Sequence, residues 1–175
     1  MERAGPGLLL RDLRRGDDAQ IAAILHVLAQ TQPDILVLQG VDYDLDLLAL
    51  SALRDRISDG GGPRYEHLFA RVPNAGLATG LDMDGDGRRG GPRDAQGYGA
   101  FAGQGGMALL SRYPVEEADA RDFSAFLWRD LPGALPLGCG TGGAAPVVAR
   151  TLGGAGAVAL RAVAGDDLSR HPAGL

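Results

Sequence analysis

The chain has 175 residues, a net charge of −5, a pI near 5.1, 45% hydrophobic and only 5% aromatic residues. That is enough length for one domain with a sizeable core, and it is no basic footprint for tight, non-specific grip on a phosphate backbone. The lone Cys139 excludes an internal disulfide and a thiolate zinc cluster, and no apolar run reaches the ~18–20 residues of a membrane span.

All 17 basic residues are arginine, and 28 residues are glycine, as in a GC-rich coding sequence of bacterial type. The opening MERAGPGLLLRDLRRGDD has three consecutive leucines before charge returns, too few for the apolar region of a signal peptide. A cytoplasmic chain without membrane contact is expected.

In chain order, Gly5-Pro6-Gly7 is a turn, and Leu8-Leu9-Leu10 suits either a strand remnant or a helix start. A helix is predicted from about Asp18 to Thr31. Asp17 is its N-cap with Gln20 as capping-box partner, and Ile21, Ile24, Leu25 and Leu28 form one apolar face. Pro33 forces Gln32 out of the helical region. Asp34 to Gln39 is a continuous apolar run ended by Gly40, which predicts a strand covered on both faces. A second helix is predicted from Leu45 to Ser58, capped near Asp44, then a strand from Tyr65 to Val72. Pro73 to Gln104 is too long for an idle connection, and loops of that length are functional or disordered. A strand follows over Gly106–Arg112, and Arg121 to Asp130 is either a short helix or an apolar lid. From about Gly138 the composition turns to Gly, Ala, Val and Leu, with a possible strand over Val158–Val163.

Inside the long connection, Asp82, Asp84 and Asp86 alternate and Gly87 follows. D-x-D-x-D-G is the first half of a calcium loop: alternate carboxylates converge on one centre and glycine permits the turn. The twelfth position, where an EF-hand has its bidentate acid, is Arg93. Asp94 comes one place later and is a candidate fourth carboxylate. The plainer reading is a solvated acidic turn. Tyr98, between Gly97 and Gly99, is a candidate substrate-facing aromatic.

Two further segments carry a family resemblance: Pro33-Asp-Ile-Leu-Val-Leu-Gln39-Gly-Val-Asp42-Tyr-Asp44, and Gly106-Met-Ala-Leu-Leu-Ser111-Arg112-Tyr113-Pro114-Val115. In order and rough spacing they resemble the endonuclease/exonuclease/phosphatase superfamily, the DNase I-like metal-dependent phosphoesterases. The resemblance covers about residues 17 to 115. It implies an α+β fold, built as part of a two-sheet sandwich with helices packed outside, over residues 1–137. It also implies hydrolysis of a phosphate ester, of nucleic acid or otherwise, with magnesium or manganese. The family's metal-ligand glutamate falls on Gly40, so Asp42 or Asp44 just beyond it are the candidate replacements, a helix N-cap being the preferred reading of Asp44. The resemblance also implies an early strand ending in asparagine, a later D-x-N motif and a terminal aspartate–histidine pair. None is found; Asp166, Asp167 and His171 lie in a polar tail, and His26 and His67 sit in a helix and a strand. An inactive or incomplete phosphoesterase is therefore expected, with a non-catalytic calcium-binding domain as the alternative. The Gly/Ala-rich residues 138–175 read like out-of-frame translation, which would make the chain truncated and leave an exposed sheet edge for self-association.

Overall fold

The computed structural model describes residues 1–127, 130–133 and 158–159. Leu8–Arg15 is a helix, α1, which decides the first open reading. Leu9 and Leu13 bury one face, Gly7 and Gly16 flank it in the left-handed region, and the Gly16 N–H closes onto the Asp12 carbonyl. α2 spans Ala19–Thr31. Its cap is Asp18, not Asp17: Asp18 Oδ1 accepts the Ile21 N–H at 2.9 Å. Only a carboxylate one step before the first helical residue reaches that amide. Asp17 instead pairs with Arg15 at 2.8 Å, and Gln20 takes an N–H from Arg3 rather than closing a capping box. Gln32 ends α2 in the left-handed region, just before Pro33.

β1 runs Ile35–Val41. Gly40 does not terminate it. It sits in a bulge, at φ 64°, where the pairing slips between Gln39↔Met107 and Val41↔Gly106. α3 spans Leu48–Asp59, three residues later than expected. The delay follows from Asp44, whose two carboxylate oxygens accept the Leu48 and Ala49 N–H groups at 2.6 and 2.9 Å and so fix where the helix begins. β2 is His67–Ala70, and β3 is Gly106–Ser111. Tyr65, expected to open this strand, lies two residues before it, fully buried, with its hydroxyl donating to the Pro33 carbonyl.

The sheet order is β1-β3-β2, antiparallel throughout, so β1 and β2 are both edges. Leu36, Leu110 and Leu68 align across it and face a cluster made by Leu9, Leu13, Ile21, Leu28, Leu50, Leu53 and Ile57. The three helices therefore bury one face. The opposite face carries Ile35 and Val37, the latter 60% exposed, so β1 is not covered on both sides by the described residues. A second pairing, antiparallel, joins β4 (Arg121–Asp122) to β5 (Val158–Ala159), within the stretch expected as a strand. Arg121 to Leu127 opens with this short strand and continues in a turn closed by the Phe126 N–H on the Phe123 carbonyl; Trp128 and Arg129, in the stretch expected as a short helix or an apolar lid, lie outside the described residues. The architecture is α+β. Apart from β5, the Gly/Ala-rich segment 138–175, with Cys139, Asp166, Asp167 and His171, lies outside the described residues.

One ionic junction locks the chain's beginning to two helices. The Arg3 guanidinium meets Asp12 at 2.8 Å and Asp18 at 3.1 Å, and Arg11 meets Asp12 at 2.8 Å. Arg3, then Arg11, hold the Asp12 carboxyl below its ordinary value of 3.8. A lowered folded pKa adds stability above the unfolded value and loses it as pH falls through the folded one. The urea midpoint is therefore expected to hold from neutral pH to about pH 5 and to fall progressively below it. Asp12→Asn should be less stable at neutral pH and show a shallower acid decline; an unchanged decline would remove Asp12 as a cause.

Candidate metal centre

The 73–104 connection is folded back on itself rather than loose. Ala75 bridges Gly97, Ala78 bridges Ala95, and the Gln96 N–H reaches the Leu77 carbonyl at 2.8 Å. At its tip, one ligand oxygen from each of Asp82, Asp84 and Asp86 lies within 4.8 Å of the others. The curl is drawn by the same carboxylates. Asp82 accepts the Gly85 and Gly87 N–H groups at 2.7 and 2.8 Å, and Asp86 accepts the Arg88 N–H at 2.8 Å. Gly85 and Gly87 supply the left-handed backbone this needs. Each pair of charges about 4 Å apart repels by about 1 kcal/mol even in water, so a cation among the three would relieve a real strain.

Asp94 is placed differently. It is only 3% exposed, and its oxygens accept the Met83 N–H at 2.7 Å and the Gly91 N–H at 2.8 Å. The Met83 and Gly91 amides hold its carboxyl below the ordinary range. It ties together the two ends of the acidic curl, whereas the three converging oxygens come from Asp82, Asp84 and Asp86.

At the end of β1, Asp42 is buried, with Oδ1 accepting the Gly105 N–H at 3.1 Å and Oδ2 the Arg3 N–H at 2.8 Å. Burial pushes its carboxyl up, against the pull of those amides. Asp44 is engaged by the start of α3, as the capping reading requires. Tyr98 is 73% exposed and lines an open cleft of about 260 Å³ with Glu2, Ala75, Gln104 and Gly105. Sequence reasoning missed Glu2 altogether. Its carboxylate lies over Gly40, 3.0 Å from where a Cβ on that glycine would stand. Nothing local in the sequence announces it, because 38 positions separate the two residues and only the fold-back of the first three residues joins them.

His26 is exposed on α2, and His67 is half-buried opposite Ser111. Among the described residues neither histidine hydrogen-bonds a carboxylate, so no histidine–acid pair is assembled there. The described helices include none long and apolar enough to cross a membrane.

A sequence model described as the Endonuclease/Exonuclease/phosphatase family matches residues 9–173, well beyond the stretch that carries the two recognisable motifs. No curated protein and no solved structure matches the chain.

Proposed function

The chain belongs to the endonuclease/exonuclease/phosphatase family, and we propose that it is a divalent-metal phosphoesterase of that family in an incomplete, catalytically silent form. The observation that carries this reading is the end of β1. Gly40 offers no side chain there, and the nearby Asp42 and Asp44 carboxylates are occupied by backbone amides. A bound magnesium or manganese would polarise a phosphoryl oxygen of the substrate. The chain's own residues would bind it but not shuttle the proton, since the described histidines have no acid partner to orient them. Tyr98 would offer an aromatic face to the organic part of the ester. In this reading Ile35 and Val37 form the inner face of a two-sheet sandwich whose second layer starts at the β4–β5 pair. Residues 1–137 carry the scaffold, and the Gly/Ala-rich segment 138–175 adds to it, among the described residues, only the strand β5. A cytoplasmic setting and association through the free edge of β1 complete the picture. Nucleic acid and smaller phosphate esters are both within its substrate class.

The convergence of Asp82, Asp84 and Asp86 favours a second reading, a non-catalytic calcium-binding domain. Calcium takes carboxylate and carbonyl oxygens in irregular geometry, which such a curl supplies. Isothermal titration is expected to give saturable heat at about 1 mM calcium or below, with a rise in Tm. Asp84→Asn should abolish the heat. Asp94→Asn should weaken binding about 10–100-fold, because the ligands lose their anchor rather than one of their number. No heat and no Tm change would reject the calcium reading.

A further inference from the structure

The place where Gly40 lacks a side chain is filled from elsewhere in the chain. Glu2 Oε1 lies 3.0 Å from a Cβ built on Gly40 and 2.8 Å from one built on Gly105. Both glycines have positive φ, 64° and 61°, so the backbone at the end of β1 and at the entry to β3 opens a cradle around one carboxylate. Any side chain at either position would displace it.

The segment bearing Glu2 is fastened on both sides. The Met1 ammonium donates to the Gly40 carbonyl. The Arg3 N–H donates to Asp42, and the Arg3 guanidinium grips Asp12 and Asp18. Glu2 is thus held by its neighbours while its own carboxylate accepts no hydrogen bond from a described residue. It faces the cleft of about 260 Å³, beside Gln104 and Tyr98. Among the described residues, the lining includes no arginine. Magnesium-type ions keep several waters and take one or two protein carboxylates plus substrate phosphate. A single fixed carboxylate at the wall of a roomy polar cleft suits that mode, and it does not suit the all-protein cage that calcium prefers.

We infer that Glu2, cradled by Gly40 and Gly105, is the protein ligand for a magnesium- or manganese-type cation in this cleft, separate from the Asp82–Asp86 curl. Asp42 is a positioning residue: by accepting the Arg3 and Gly105 amides it sets the segment and the cradle against each other. The inference rests on the metal-dependent reading above and assigns that metal to a residue outside the recognisable motifs.

The test is Mn²⁺ uptake by the full chain, read by electron paramagnetic resonance, with no turnover required. Asp84→Asn removes the curl as a competitor. The Asp84→Asn chain is expected to take up Mn²⁺ still, and Glu2→Gln in that background to weaken uptake about tenfold or more. Glu2→Asp should recover part of the affinity. The melting curves of the Glu2 variants should match their parent, because Glu2 is exposed and its side chain makes no bond to a described residue. Equal uptake with and without Glu2 would overturn the assignment while leaving a metal-binding protein. Uptake by the natural chain but none by Asp84→Asn would overturn it too, placing the ion in the curl. No uptake by any form would remove the metal-dependent reading along with it.

Discussion

Leu110→Ala is expected to cost about 2–5 kcal/mol, the range for emptying a buried leucine site. Leu110 is 0% exposed and sits on β3, the central strand, with Leu36 and Leu68 opposite it on the two neighbours. It is where sheet and helices meet, and rigid strands on both sides limit how far the hole can collapse. The urea midpoint should drop with the slope unchanged. Leu109→Ala, one residue away, is the control. Leu109 points to the opposite face, beside the exposed Val37, and is half-buried. Its loss should cost clearly less, because a side-chain period of two puts neighbours on opposite faces. Equal costs would mean that both faces are packed alike.

Gly76→Ala is expected to break the fold-back of the 73–104 connection. A Cβ on Gly76 would lie 1.8 Å from the Phe101 carbonyl oxygen and 2.7 Å from the Ala102 nitrogen. Both are backbone atoms, so no side chain can swing aside. Gly76 also has φ 74°, a left-handed backbone that costs an alanine about 1–2 kcal/mol on its own. Gly80→Ala separates the two effects. Gly80 has nearly the same φ, 73°, and nothing within 4 Å of its Cβ position, so it bears the backbone cost alone. Gly76→Ala should lower the urea midpoint further than Gly80→Ala and open the connection to limited proteolysis. Since Ala75 and Gly105 share the Tyr98 cleft, the same change should distort that cleft. If the two variants unfold alike, the close crossing of the two backbone segments is not present in solution.

Much of this was legible beforehand. The apolar face of α2, the run that becomes β1 and the strand at Gly106 each combine a strong local pattern with a clear breaker, so their identity survives folding. The D-x-D-x-D-G spacing likewise brings its three carboxylates together by local geometry alone. What escaped the sequence was decided by single hydrogen bonds or by distance along the chain. Asp17 and Asp18 are adjacent and chemically equal, and only the reach to the Ile21 amide chooses between them. Gly40 looks like a strand end but is a bulge: it is skipped in the register, and pairing resumes at Val41 with Gly106, a strand far along the chain. Asp44 delays α3 by binding two amides at once. Val37 reads as interior because an apolar run does not say which of its faces finds a partner. Glu2 was invisible for the same reason: its cradle is built from two glycines remote from it and from each other.

The most direct test is hydrolysis of an activated phosphodiester by the full chain, with magnesium or manganese present and metal-only buffer as the blank. A silent member of the family should release product no faster than the blank, in either metal, while the same preparation binds the cation. Saturable release that needs both the chain and the metal would contradict this, and would mean that the chain assembles a working proton-transfer pair after all.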